Sequence, residues 1–217
     1  LPADEFASLL RFAKVRAVVA SRRAGRRLRA EVGVGDGEVT WCDLDRWGRP
    51  WEGEEYDHKE ALPAVQVGAD DTAVILFTSG GGRPRGVMLS HRNLLSDLLA
   101  LSETQRVYEG DQILSLLPLH LGLELTGGAL MGMWAGATTT YLAALNSRDI
   151  LAAMRDTGTT AMLAVPRLLK VLADRIQRTG QGAASFERLR LLVCGGAPLP
   201  LELFDCYCDM GVALYEG

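Results

Sequence analysis

Apolar and polar positions follow a loose pattern up to about residue 70 and a strict one after it. Phe6, Leu9, Leu10 and Ala13 recur at i, i+3, i+4 and i+7, which places them on one face of a helix. Val15 to Ala20 reads as a strand. Arg22, Arg23, Arg26, Arg27 and Arg29 form a basic run, read as a solvated loop or helix face, with an anionic-surface contact as the sharper alternative. Residues 31–70 are rich in Gly, Trp and acids; Glu52, Glu54, Glu55, Asp57 and His58 suit a polar surface connection.

Beyond Asp70 the chain alternates. Ala73 to Thr78 is a continuous apolar run, which predicts a strand buried on both faces. Ser90 is placed to cap a helix carrying Leu94, Leu95, Leu98 and Leu101. Further strands are expected at 113–117, 137–142, 160–165, 189–193 and 212–215. Between them, helices are expected around 124–134, from Ser147 with Ile150, Leu151 and Met154 inward, through Leu168, Leu169, Leu172 and Ile176, and after Pro200. This alternation predicts an α/β fold with layered, largely parallel sheets flanked by helices. Residues 1–70 read as a partial N-terminal subdomain with its connection, and 71–217 as an α/β subdomain. Both ends of the chain fall abruptly within patterned sequence, so the chain reads as the middle of a longer protein.

Composition narrows the functional classes. At 48% apolar and 23% charged, the 217 residues exclude wholesale disorder. A formal net charge of −4 supplies no global attraction to nucleic acid. The four cysteines are too scattered for a disulfide scaffold, and Cys206 and Cys208 would point to nearly opposite faces of a helix, so no metal site is assigned. A reducing cytoplasm fits best. Leu1 to Leu10 lack the basic start of a signal peptide. The uncharged run between Glu124 and Arg148 approaches the ~20 residues of a membrane span. Gly136 and the strand-like Thr138 to Tyr141 interrupt it, so a buried helix followed by a buried strand is the better reading. No transmembrane span is expected, which leaves peripheral membrane contact open. Trp134, Met131 and Met133 read as core, and Glu124 either as a buried acid with a partner or as a solvent-facing one. Nothing in the pattern specifies an oligomeric state.

The strongest chemical signal is Thr78-Ser-Gly-Gly-Gly-Arg-Pro-Arg-Gly-Val87, directly after a predicted strand. Consecutive glycines let backbone N–H groups converge on an anion. Thr78 and Ser79 add hydroxyl donors, and Arg85 adds a planar charged fork. The bland alternative is a surface β-turn. No Lys follows a Gly and no helix opens at once, so neither the Walker nor the Rossmann pattern applies. The unit reads as strand, loop, strand.

This stretch resembles the phosphate loop of adenylate-forming enzymes, the superfamily of acyl-CoA synthetases, luciferases and peptide-synthetase adenylation domains. Leu117-Pro-Leu-His-Leu-Gly-Leu-Glu124 resembles their acyl-pocket motif, and Ala164-Val-Pro-Arg-Leu168 a helix start frequent in long-chain acyl-CoA synthetases. Cys194-Gly-Gly-Ala-Pro-Leu199 resembles the lining of the adenine and acyl-adenylate site, and Tyr215-Glu-Gly217 the residues before the Tyr-Gly-x-Thr-Glu motif. The resemblance is closest to the long-chain fatty acyl branch and implies a fragment of the large N-terminal domain.

What the resemblance implies is ATP-dependent activation of a fatty carboxylate to acyl-AMP, then transfer to coenzyme A, with Mg²⁺ as cofactor. Thr78, Ser79, Gly80, Gly81, Gly82 and Arg85 would hold the ATP phosphates. Gly195, Gly196, Ala197, Pro198, Tyr215, Glu216 and Gly217 would line the adenine and acyl-adenylate, and His120 would be catalytic beside the acyl channel. The loop is one residue shorter than the family pattern, lacks its two inner hydroxyl residues and has Arg85 for Lys. Only one His stands in the acyl-pocket motif, with Leu121 in the second position. Two alternatives therefore stand beside this reading: a degenerate, non-catalytic relative that binds an acyl or nucleotide ligand, and an acyl-AMP ligase that loads a carrier-protein thiol. The chain alone is expected to be inactive.

Overall fold

The computed structural model describes residues 3–32, 39–46, 65–78, 85–105, 107–142, 145–180 and 182–217. It divides into two units, Leu1–Ala64 and Val65–Gly217, a break a few residues ahead of the one that composition suggests. In the first unit, α1 (Ala3–Phe12) leads into β1 (Ala17–Ala20), α2 (Arg22–Val32) and β2 (Thr40–Asp43). The helical stripe read from the sequence packs in part: Leu10 and Phe6 lie in the small core with Ala7, Val15, Val18, Leu28 and Val39, whereas Leu9 is outside that cluster and Ala13 follows the helix. The basic run is the helix α2, which crosses over between the parallel strands β1 and β2. The strand β2 lies in the stretch read as a connection, because its Thr-Trp-Cys-Asp sequence carries too little alternation to announce it.

In the second unit, β3 (Thr72–Thr78) and β4 (Arg85–Ser90) form an antiparallel hairpin, as the strand–loop–strand reading requires. The expectation that β3 is buried on both faces is corrected. Among the described residues it pairs only with β4 and is at most half-buried along its length, and Met88 on β4 is 68% exposed. A long apolar run marks a strand but not its place in a larger sheet. Helix α3 (His91–Gln105) follows, with the amide of Asn93 donating to Ser90 Oγ at 3.2 Å, the cap expected of Ser90.

The main sheet has five strands: β5 (Gln112–Ser115), β6 (Thr138–Tyr141), β7 (Ala161–Ala164), β8 (Leu191–Cys194) and β9 (Leu214–Glu216), in the order β6-β5-β7-β8-β9. Every pairing is parallel. A π-helical segment (Glu124–Leu130) and α4 (Met131–Ala135) connect β5 to β6. Helices α5 (Ser147–Thr157), α6 (Pro166–Thr179) and α7 (Leu201–Asp209) make the later crossovers. Helix α5 opens at Ser147 with Ile150, Leu151 and Met154 inward, as expected, and Asn146 caps it, accepting from the Asp149 amide at 3.0 Å.

The strands β7 and β8 are buried on both faces, and alternate residues feed two cores. Met162, Ala164, Leu192 and Cys194 pack with Ile150, Leu169, Leu172 and Tyr207, whereas Ala161, Leu163, Leu191 and Val193 pack with Ile113 and Leu117. Of the residues read as core near 131–134, Met131 is buried while Met133 and Trp134 are exposed, because α4 covers the sheet with one face only. No helix among the described residues is long and apolar enough to cross a membrane.

Candidate functional site

Strand order decides where a ligand fits. The chain runs from β5 outward to β6, then returns across β5 to β7, β8 and β9. The order therefore reverses between β5 and β7, and crevices form at the carboxyl ends of strands at such a reversal. The segments leaving those ends are Leu116–Leu123 after β5, Val165 after β7, Gly195–Pro198 after β8 and Gly217 after β9.

Glycines let these segments close on one another. A Cβ on Gly195 would lie 2.7 Å from the Gly217 carbonyl oxygen and 2.9 Å from Leu123 Cδ2, so the adenylate-type segment, the chain's last residue and the acyl-pocket motif meet at a point where only glycine fits. Gly196 has φ +80°, the left-handed region, which turns the chain out of β8. The Gly195 amide donates to the Ala164 carbonyl at 3.1 Å and the Gly217 amide to the Cys194 carbonyl at 2.9 Å. The Glu216 carboxylate accepts from the Leu199 amide at 2.8 Å, fixing the far side of the turn that holds Ala197 and Pro198. Tyr215 is half-exposed on β9. Burial and the nearby Glu216 charge push the Cys194 thiol up to about 11, so it stays protonated beneath this edge.

The π-helical segment lies across the same edge. Glu124 is 0% exposed, which settles the alternatives read from the sequence in favour of a buried acid. Its Oε1 accepts from Ser115 Oγ at 2.5 Å, at the last residue of β5, and Oε2 has no partner. Burial raises its carboxyl above the ordinary Glu value, more than the Ser115 hydroxyl and the Leu117 amide lower it. A Cβ on Gly128 would overlap Glu124 Oε1, and one on Gly127 would lie 2.8 Å from Leu163 Cδ2 of β7. Glycines thus bring the wide turn down onto both strands that flank the reversal. The sequence signal was the pair Ser115 and Glu124 with Gly128 four residues on, but nothing in it specifies a π turn. Insertions of this kind are frequent at functional sites.

The hairpin reaches the edge through Leu76, whose Cδ1 lies 3.8 Å from where a Cβ on Gly122 would stand. Thr78 and Arg85 face each other as the last pair of the hairpin, both exposed. Ser79, Gly80, Gly81 and Gly82 lie outside the described residues, as does His58. His120 is exposed on the turn between Pro118 and Gly122, and no described residue hydrogen-bonds its imidazole. The structure thus brings together Leu123, Gly195 and Gly217, with Glu216 tied to the same turn, and sets the hairpin beside Gly122. His91 heads α3, its amide donating to the Asp71 carbonyl at 3.2 Å. No group of three or more His, Cys, Asp or Glu able to hold a metal occurs among the described residues.

At the opposite edge of the sheet, Asp111, Thr160 and Arg190 precede β5, β7 and β8. Asp111 accepts from Thr160 Oγ1 at 2.6 Å, from the Tyr108 amide at 2.7 Å and from Arg190, whose guanidinium also sits 4.8 Å from the Tyr108 ring centroid. Burial pushes this carboxyl up, but the Arg190, Thr160 and Tyr108 contacts together hold it below the ordinary Asp range. This cluster is a clamp on three strands, remote from the carboxyl edge.

A family model described as AMP-binding enzyme matches residues 1–217. Feruloyl-CoA synthase from Amycolatopsis sp is 30% identical over 156 residues, covering 71% of this chain and 31% of that protein. The mitochondrial malonate–CoA ligase ACSF3 of Mus musculus is 31% identical over 148 residues, covering 63% of this chain and 25% of that protein. Among solved structures, ATP-bound MatB from Rhodopseudomonas palustris superposes with a TM-score of 0.79 at 26% identity, covering 100% of this chain and 43% of that one. The chain thus spans less than half the length of these relatives.

Proposed function

Because the chain belongs to the AMP-binding enzyme family, we propose that its parent protein activates an organic carboxylate with ATP and passes the acyl group to a thiol. The observation that carries this reading is the meeting of Leu123, Gly195 and Gly217 at the β5/β7 reversal, with the hairpin packed beside it at Gly122. The adenylate would lie on Gly195–Pro198 and Tyr215–Gly217, the triphosphate at the hairpin mouth between Thr78 and Arg85, and the acyl group along the segment that holds His120.

A carboxylate is a poor electrophile. Its oxygen attacks the α-phosphorus of ATP, the bond to the bridging oxygen breaks, and pyrophosphate leaves. A thiol then attacks the acyl carbon and AMP departs. The chain's share is positioning and charge: Arg85 offsets negative charge on the leaving pyrophosphate, and the glycine-lined edge lets backbone groups approach the adenylate closely. Coenzyme A is the thiol that the named relatives suggest, with a carrier-protein thiol as the second acceptor. The acyl-pocket motif supports a long-chain fatty acid as the carboxylate, whereas the relatives' names point to an aryl acid and to malonate. The four free cysteines support a reducing, cytoplasmic setting.

The test is carboxylate-dependent release of pyrophosphate from ATP by the full-length protein, with fatty, aryl and short dicarboxylic acids. Saturable release with one class is expected, fastest with fatty acids. Release with another class corrects the substrate. If no acid triggers release while the protein still binds AMP, the non-catalytic reading replaces this one.

A further inference from the structure

The first unit carries a cavity that the proposed reaction does not use. It holds about 240 Å³ and is lined by Ala20 and Ser21 at the end of β1, by Arg22, Gly25, Arg26 and Arg29 of α2, and by Trp41, Cys42 and Asp43 of β2. The basic run is therefore not uniformly solvated. Arg22, Arg26 and Arg29 fall at i, i+4 and i+7, one stripe of the helix, and that stripe lines the cavity. Arg27 lies off it and pairs with Glu31 at 2.9 Å.

Charge and unmet donors describe the occupant. Three guanidiniums face one carboxylate across the cavity. Asp43 is engaged with Arg22 at 3.1 Å, and Arg29 stacks 5.1 Å over the Trp41 ring. Arg26 has no ion-pair or hydrogen-bond partner among the described residues. Like charges one turn apart repel unless something offsets them. The amino end of α2 is not the site, because Asp45 already accepts from the Arg22 amide at 2.8 Å. The cavity is smaller than the ~300–1,000 Å³ usual for cofactor-sized ligands. Gly25 keeps that wall low: a Cβ there would meet only Ala20, at 3.9 Å.

We propose that this cavity binds a small phosphate-type oxyanion, free phosphate, pyrophosphate or a short phosphomonoester, with Arg26 as its principal charged donor and Arg29 beside it. The guanidinium fork matches two phosphate oxygens at once, and the excess of positive charge suits a dianion.

Titration calorimetry of the full-length protein with inorganic phosphate, pyrophosphate and glycerol phosphate tests this. Binding is expected, with Arg26→Ala losing about tenfold or more in affinity and Arg26→Lys losing less. Arg26 is exposed on a helix, so Ala there leaves the fold intact and the comparison stays interpretable. Arg29→Ala is expected to weaken binding several-fold. The preferred anion among the three identifies the source. Absence of binding, or a loss in Arg85→Ala with none in Arg26→Ala, overturns the proposal, the latter by moving the anion to the β3–β4 hairpin. So does binding confined to vesicles of phosphatidylcholine with phosphatidic acid and unchanged in Arg26→Ala. These outcomes are independent of pyrophosphate release, so the site and the carboxylate-activating function fail separately.

Discussion

Glu124 is the residue whose chemistry departs most from its surroundings. It is buried, burial raises its carboxyl above the ordinary Glu value, and it ties the π turn to Ser115. An amide keeps the side chain's shape and its tie to Ser115 without the charge, so at about pH 4, where the acid is largely protonated, Glu124→Gln should change stability by less than about 1 kcal/mol. Glu124→Ala removes the partner of the Ser115 hydroxyl and leaves a void, at a cost of roughly 2–4 kcal/mol. Urea melts of the two variants check this. The sign with pH follows from the raised carboxyl. A folded value above the unfolded one stabilises the fold while the acid is protonated. That advantage fades as pH climbs from about 4.3 through the folded value. Wild type should therefore lose ground to Glu124→Gln between pH 4 and pH 7; a constant difference would mean that the folded and unfolded values of Glu124 coincide. The sequence could not decide this residue, because an acid amid apolar neighbours is compatible with either face of a helix, and the widened turn that buries it has no local signature.

Elements were legible where periodicity was long. The strands β5 to β9 and helices α5 to α7 fall close to where the pattern put them; for β7 and β8 the reason is that strands sandwiched between helices need apolar residues on both faces, whereas the edge strands β6 and β9 are largely half-buried or exposed. The short strand β2 was missed, and β3 was assigned too deep a position, because pattern reports apolar character and not the number of neighbouring strands. The clamp at the amino edge was illegible for another reason: Asp111 and Arg190 are 79 residues apart, and only the closed sheet brings them together. Asp111 is 4% exposed and its carboxyl is held low, so its contribution to stability is present above the ordinary Asp value of about 3.9 and is lost as pH falls through the folded one. Asp111→Asn should cost about 1–3 kcal/mol at pH 7 and flatten the acid limb of the stability curve, as read by urea melts at falling pH. At the other edge, Gly195→Ala drives a methyl group into the Gly217 carbonyl and Leu123. A loss of about 1–3 kcal/mol is expected, together with weaker AMP binding, by thermal melts and calorimetry. Unchanged AMP affinity in a folded Gly195→Ala protein would separate this turn from the nucleotide.

For the molecule as a whole, the fold class and the ordered motifs were visible in the chain because each motif follows the end of a strand, and strand ends are what patterning locates best. Their mutual approach was not visible, since it depends on the strand order β6-β5-β7-β8-β9, which no local sequence encodes. The central claim is that one nucleotide spans two places, its adenylate on the β8 and β9 ends and its outer phosphates at the hairpin mouth. Calorimetry of the full-length protein with ATP and AMP, on wild type and Arg85→Ala, tests it most directly. AMP lacks the β- and γ-phosphates that Arg85 would meet. Arg85→Ala should therefore lose on the order of 1.5–3 kcal/mol toward ATP, roughly tenfold to a hundredfold in affinity, and leave AMP unchanged. Equal losses for both nucleotides, or none for either, would contradict the placement of the triphosphate at this hairpin.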